Sequence, residues 1–310
     1  MKKVFIDGSA GTTGLRIIER LQNRKDIEIL TLSEDTRKLA EYRKEALNNC
    51  DIAFLCLPDA AAKEAVSFVE NKNVTIIDAS TAHRTNPDWA YGFPELSKEF
   101  EEKIKNSNRI ANPGCYASGF IALVRPLVEN GIIDKNELLT AHAVSGYSGA
   151  GKQGIAQYED ENRDELLSAP RQYALTQQHK HIPEMKIISG LCREPIFCPY
   201  VCDFYSGMTV TVPLFKTQLK SGFSVEDIKE VYKNLYNDGI VRYYDSVDEN
   251  GFISACKISK KDNMEVTVAG NDERILLISR FNNLGKGASG AAVECMNIKL
   301  GVDKTTGLDL

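Results

Sequence analysis

The feature that most narrows what this chain can fold into is its beginning. An apolar run, Lys3-Val4-Phe5-Ile6-Asp7, meets a glycine loop, Gly8-Ser9-Ala10-Gly11-Thr12-Thr13-Gly14, and the loop passes into a helical pattern from Leu15 to Leu21. Glycines at such a turn let the backbone approach a pyrophosphate and leave N–H groups at the positive end of the helix, which is how dinucleotide sites are built. G-x-x-G-x-x-G spacing is weak by itself, but here it has the strand before it and the helix after it that the motif requires.

The same alternation continues. Ile27 to Leu32, Asp51 to Pro58 and Val74 to Ser80 read as strands, the run from Asp51 being continuously apolar as in a buried parallel sheet, and Ala60 to Val69 reads as a helix between two of them. Up to Arg109-Ile110-Ala111 this predicts an α/β, doubly wound (Rossmann-like) parallel-sheet domain. Beyond residue 131 the strands Glu137 to Ser145, Gly207 to Leu214, Glu265 to Gly270 and Ile275 to Arg280 are joined by longer connections, which predicts an α+β domain with a mixed or antiparallel sheet. Small residues in Asn282 to Val293 predict a last helix that packs back on the first domain. The expected division is 1–114, completed by a C-terminal helix 285–310, and 115–284; a chain of 310 residues, 43% hydrophobic, can fill two cores.

The second strand ends in Ser33-Glu34-Asp35-Thr36-Arg37-Lys38 in place of a lone ribose-binding acid. Ser33, Arg37 and Lys38 suit a 2'-phosphate and favour NADP(H) over NAD, while Glu34 and Asp35 leave a plain solvated turn as the alternative. A net charge of −5 and a pI near 5.6 argue against nucleic acid or an anionic membrane as the main partner, and point to a small molecule. No run is long enough to span a membrane and the N-terminus turns polar early, so a cytoplasmic protein is expected. The eight cysteines are then free thiols, and Cys192, Cys198 and Cys202 have neither a C-x-x-C pair nor an adjacent histidine to make a metal site.

Chemistry concentrates at Asn112-Pro113-Gly114-Cys115-Tyr116-Ala117-Ser118-Gly119. Cys115 follows a Pro-Gly turn and heads a helical pattern, Phe120, Leu123, Val124, Leu127 and Val128, that Pro126 is expected to kink and Asn130-Gly131 to stop. A helix N-terminus lowers a thiol pKa, so Cys115 reads as a nucleophile, with a buried inert cysteine as the alternative. An acyl intermediate needs an acid or base, and the histidines are His83, His142, His179 and His181; His181, in the polar segment Gln177 to Glu184, is a candidate beside a purely structural reading. Ser145 to Lys152 lacks phosphate-loop spacing and reads as a substrate loop with backbone donors, or as a plain structural loop.

Taken together, these segments, with Phe54-Leu55-Cys56-Leu57-Pro58, Asp78-Ala79-Ser80-Thr81-Ala82-His83-Arg84, Tyr91 to Leu96, Ser148-Gly149-Ala150-Gly151-Lys152, His179 to Glu184 and Asn283 to Ala288, resemble N-acetyl-gamma-glutamyl-phosphate reductase in its shorter form, a relative of aspartate-semialdehyde dehydrogenase. The likeness covers nearly the whole chain, with Ser118 where the family signature usually has threonine and Leu123 where it has a small residue or threonine. It implies Cys115 as nucleophile, His181 as acid/base, NADP(H) on Gly8, Ser9, Gly11, Thr12, Thr13, Gly14, Ser33, Arg37 and Lys38, and Ser80 and Asn283 near the nicotinamide. It further implies an acyl-phosphate substrate in arginine biosynthesis, met by Arg84, Ser148, Gly149, Lys152 or Lys180, and a homodimer or homotetramer through the second domain. The alternatives are aspartate-semialdehyde dehydrogenase, a Cys/His thiol acyltransferase or hydrolase, and a dinucleotide-sensing regulator.

Overall fold

The computed structural model describes residues 1–310, which divide into two compact units: Met1–Pro113 with Ala288–Leu308, and Gly114–Gly287 with Asp309–Leu310. The first alternates β1 (Lys2–Asp7), α1 (Thr12–Leu21), β2 (Ile27–Leu30), α2 (Ala40–Asn49), β3 (Ile52–Leu55), α3 (Asp59–Ser67), β4 (Thr75–Asp78), β5 (Ala90–Tyr91), α4 (Lys98–Asn106) and β6 (Arg109–Ala111). Every pairing in its sheet is parallel, in the order β2-β1-β3-β4-β6-β5. The continuous apolar runs follow from burial on both faces. Val4, Ile6, Ile52, Phe54 and Ile77 pack with Ile17 and Leu21 of α1, whereas the intervening Phe5, Ala53, Leu55 and Ile76 pack with Leu47 of α2 and Ala62 and Ala65 of α3.

The second unit holds α5 (Cys115–Glu129), β7 (Thr140–Gly146), α6 (Gly151–Glu159), β8 (Arg171–Gln172), α7 (Ile182–Ser189), β9 (Ile196–Cys202), β10 (Met208–Phe215), α8 (Val225–Leu235), β11 (Val241–Tyr243), β12 (Met264–Gly270) and β13 (Arg274–Phe281). Its sheet, β11-β12-β13-β10-β7-β9-β8, mixes parallel pairs, β7 with β9 and β11 with β12, among antiparallel ones. On β10 and β13 alternate residues face opposite ways. Met208, Val210, Val212, Leu277, Ser279 and Phe281 are buried, whereas Thr209, Thr211, Pro213, Phe215 and Leu276 lie on a more open face. The final helix, α9 (Gly290–Leu300), rejoins the first unit, where it packs against α1 and α4; it follows a π-helical turn at Gly285–Ser289, so the regular helix begins later than the small-residue run suggested.

Helix α5 runs on through Pro126 to Glu129. Proline has no N–H to give the Ala122 carbonyl one turn back, and the hydroxyl of Tyr236 donates to that oxygen instead, at 2.8 Å, while Tyr232 of α8 donates to the Leu123 carbonyl. No helix is long and apolar enough to cross a membrane.

Candidate active site and nucleotide cleft

In the second unit, Cys115 is the first residue of α5, with Gly114 as an N-cap that supplies no side chain. Its thiol is half-buried at the helix end where unpaired N–H groups concentrate positive potential. The next residue, Tyr116, is buried and its hydroxyl shares a 2.8 Å hydrogen bond with Ser145. Burial, and then the neighbouring Cys115, push its phenol up, and burial does the same to Tyr173, so both remain neutral. The Tyr116 ring stands among His179, His181, Tyr173 and Phe197, with centroids 5.2 to 6.4 Å away.

His181 caps α7 and is buried. Its backbone N–H donates to His179 Nδ1 at 3.1 Å, so a neutral His179 carries its proton on Nε2, and the two rings meet edge to face at 4.7 Å. One turn further along α7, on the face His181 shares, Glu184 is buried and its Oε1 accepts the Gly114 N–H at 2.8 Å. One carboxylate thereby ties the turn that precedes Cys115 to the helix that begins after His181, and α5 packs on α7. In the sequence Glu184 stands in the polar segment Gln177 to Glu184 with no expected role of its own, and its spacing of three from His181 is the signal that points to it. Glu184→Ala is expected to lower kcat about 10- to 100-fold with little change in KM, because a buried N–H loses its acceptor and the turn shifts. Glu184→Gln, which keeps an acceptor oxygen, should retain most of the rate; equal losses in the two variants would show that charge, and not the strut, matters.

The loop after β7 forms a short 3₁₀ turn, Tyr147–Ala150, and leads into α6. Ser148 is buried and its Oγ accepts from Asn283 Nδ2 at 2.9 Å, while Asn283 Oδ1 accepts from the Gly207 N–H at 2.9 Å. The Asn283 amide is thus engaged at both ends, each with one further hydrogen-bonding valence. Gly149, Lys152 and Lys180 are exposed.

In the first unit the glycine loop closes with Gly11 N–H donating to Gly8 O at 2.9 Å, and α1 starts at Thr12 with no side-chain cap. Gly8 sits at φ +86°, and a Cβ there would fall 2.3 Å from the Cys56 carbonyl, so another side chain is excluded on both counts. A cleft beside the loop is lined by Gly8, Ser9, Leu32, Arg37, Lys38 and Arg43. Its cations differ. Arg43 is paired with buried Asp7 at 3.0 Å and with Glu64 at 2.8 Å, whereas Arg37 Nε is buried without a hydrogen-bond partner and its guanidinium lies 3.7 Å from exposed Glu34. Burial raises the Asp7 pKa, and Arg43 opposes that rise. The turn Ser33 to Arg37 is held by Arg37 N–H on Ser33 O at 2.9 Å, and the Ser33 hydroxyl is shared with Thr36 at 2.8 Å. An uncapped helix start behind a glycine loop and an orphaned guanidinium nitrogen fit a dinucleotide carrying an additional phosphate.

At the end of β4, buried Asp78 accepts from Ser80 N–H, the Ser80 hydroxyl and His83 Nδ1 at 2.9, 2.8 and 2.6 Å, and His83 stacks on Trp89. Arg84 is buried and donates from Nε to the Asn112 carbonyl at 2.9 Å and from Nη2 to the Ala79 carbonyl at 3.0 Å.

Residues 3–106 match the family model described as semialdehyde dehydrogenase, NAD binding domain, and residues 115–283 match semialdehyde dehydrogenase, dimerisation domain. The N-acetyl-gamma-glutamyl-phosphate reductase of Sinorhizobium medicae is 45% identical over 305 residues, 96% of this chain and 98% of the relative. That of Brucella ovis is 45% identical over 306 residues, 96% and 99%. Among solved structures, aspartate semialdehyde dehydrogenase II of Vibrio cholerae, complexed with ASA, gives a TM-score of 0.74 at 18% identity over 97% of this chain and 98% of that one. Aspartate semialdehyde dehydrogenase with NADP from Candida albicans gives 0.67 at 18% identity, over 96% and 98%. The structural likeness is one of fold, but identity at this level along nearly the full length is one of family: the chain belongs to the N-acetyl-gamma-glutamyl-phosphate reductases, within the semialdehyde dehydrogenases.

Proposed function

We propose that this chain reduces N-acetyl-L-glutamyl 5-phosphate to N-acetyl-L-glutamate 5-semialdehyde and phosphate with NADPH, a step of arginine biosynthesis, through a thioester on Cys115. The observation that carries the reading is the joining of a cysteine at a helix N-terminus to the His181 helix by Glu184, in a chain 45% identical to reductases of that name. The aspartate enzyme is disfavoured because its solved structures share 18% identity or less among those compared. The Cys115 thiolate attacks the acyl carbonyl carbon and the carbon–oxygen bond to phosphate breaks, leaving the acyl group on sulfur. Bound NADPH supplies the hydride that reduces this thioester. His181 protonates the carbonyl oxygen and takes the proton back as the aldehyde forms and the thiolate departs.

Gly8, Ser9, Gly11, Thr12, Thr13 and Gly14 would hold the pyrophosphate, and Arg37 with Lys38 and Ser33 the 2'-phosphate. Ser80 and Asn283 remain our candidates for the nicotinamide, and Arg84, Lys152, Lys180, Ser148 and Gly149 for the substrate, with Lys152 and Lys180 the more available cations. The protein is expected in the cytoplasm, as a homodimer or homotetramer built on the open face of the second sheet. The test follows NADP+ reduction with N-acetyl-glutamate semialdehyde and phosphate, beside aspartate semialdehyde; absence of phosphate-dependent turnover with the first would remove the reading. Arg37→Ala should raise the Kd for NADPH at least about tenfold and leave NADH nearly unchanged, since a charged hydrogen bond is worth about 1.5–3 kcal/mol. Equal losses for the two nucleotides would move the 2'-phosphate contact elsewhere.

A further inference from the structure

Between β11 and β12 the chain leaves the sheet and returns, and in that excursion Asn250 and Gly251 take φ of +55° and +86°. Positive φ at both central positions is the signature of a tight type I' hairpin, and Glu249 and Phe252 do pair across it as an antiparallel bridge. The hairpin is braced from below. Arg280 alternates with Ser279 and Phe281, which point into the core, so it rises from the open face of β13. It is 1% exposed and donates to Glu249 Oε1 at 2.5 Å, to the Val247 carbonyl at 2.9 Å and to Glu265 of β12 at 2.7 Å. Glu249 in turn accepts the Ser254 N–H at 2.8 Å and pairs with Lys257 at 3.0 Å. The arm is therefore preorganised, yet at its tip Phe252 is 77% exposed.

A lone exposed phenylalanine is ordinary on a surface. One held at the end of a braced arm differs, because little conformational entropy remains to be lost when it docks. The arm's root lies four residues along β13 from Leu276, about 13 Å, on the face that also carries Thr211, Pro213 and Phe215, and both face and arm fall within the residues that match a dimerisation domain. An isologous interface on that face would present each copy's rim to the other. We infer that the Phe252 arm docks on a second copy of this chain, its ring buried against the partner's apolar surface. The inference rests on the proposed self-association and adds the residue that anchors it.

The dissociation constant of the dimer, measured by sedimentation over a dilution series of the full chain, tests this with Phe252→Ser, Phe252→Trp and Leu276→Asp. Phe252→Ser is expected to weaken association about 10²- to 10⁴-fold, as loss of two buried aromatics, one from each copy, predicts, with kcat unchanged at concentrations where the dimer is full. Phe252→Trp should restore tight association. A Phe252→Ser constant within twofold of the parent overturns the inference; if Leu276→Asp is then monomeric, the open-face dimer stands without the arm. A weakened Phe252→Ser dimer supports the arm even where Leu276→Asp still associates, which would instead displace the open face. A parent that stays monomeric throughout removes both.

Discussion

Cys115→Ser is expected to abolish phosphate-dependent reduction of NADP+, with kcat lowered at least about 10³-fold while NADPH binding is unchanged. An alcohol is a far weaker nucleophile than a thiolate at neutral pH, and the uncapped start of α5 helps a thiol far more than it helps a hydroxyl whose proton is held. The substitution is nearly isosteric, so folding is not the cause of a loss. Two readouts separate the components: stopped-flow detection of the acyl-enzyme, which should vanish, and fluorescence titration with NADPH, which should not move. Retention of more than a tenth of the parent kcat would exclude a Cys115 thioester and leave the nucleotide cleft standing. Loss of NADPH binding as well would mean that the substitution had disturbed more than the sulfur.

Gly119→Val should have the largest effect on the fold. Gly119 lies in α5, where a glycine ordinarily costs about 1 kcal/mol relative to alanine. A Cβ built there falls 2.6 Å from Val210 Cγ2, 2.8 Å from Ser279 Oγ and 2.9 Å from Phe281 Cε1, so the helix backbone rests directly on β10 and β13. Overpacking of this kind costs about 1–3 kcal/mol and occasionally more, and a branched side chain belongs at the upper end. We expect unfolding stability to fall by about 3 kcal/mol, read as a lower urea midpoint at unchanged slope. Gly119→Ala decides between the two effects: a net loss of stability shows that contact outweighs helix propensity, whereas a net gain would mean that the sheet yields. Since α5 carries Cys115 at its first residue, the valine variant should also lose activity beyond the fraction unfolded.

The fold was legible in the sequence wherever a short stretch determines its own conformation. The strand, glycine loop and helix at the start, the apolar β3 and β4 runs and the placement of Cys115 at a helix head all follow from local patterning, which works because parallel strands buried on both faces must be apolar throughout. Boundaries were less legible. The strand expected from Glu137 begins at Thr140, and the last helix begins at Gly290 after a π-helical turn. Strand β9, which carries the buried Phe197 beside Tyr116 and His179, was not expected, because Ile196 to Cys202 has a proline in its middle and no clean alternation.

By itself the sequence determined the architecture of each domain, the place of Cys115 at a helix head, the glycine loop ahead of α1 and the cations that lie near them. Tertiary structure decided which of those groups are already engaged: Arg43 is paired, Arg84 and Asn283 are hydrogen-bonded within the protein, and Arg37 keeps a buried nitrogen without a partner. It also decided that Glu184 bears on Gly114 across 70 residues of chain, that Tyr236 supplies to the Ala122 carbonyl the hydrogen bond Pro126 cannot donate, and that Arg280 braces the Phe252 arm. The physical reason is the same in each case. Local sequence fixes backbone preference and side-chain chemistry, but a hydrogen-bonding group's partner depends on which distant segment folding brings to it, and desolvation makes that choice consequential.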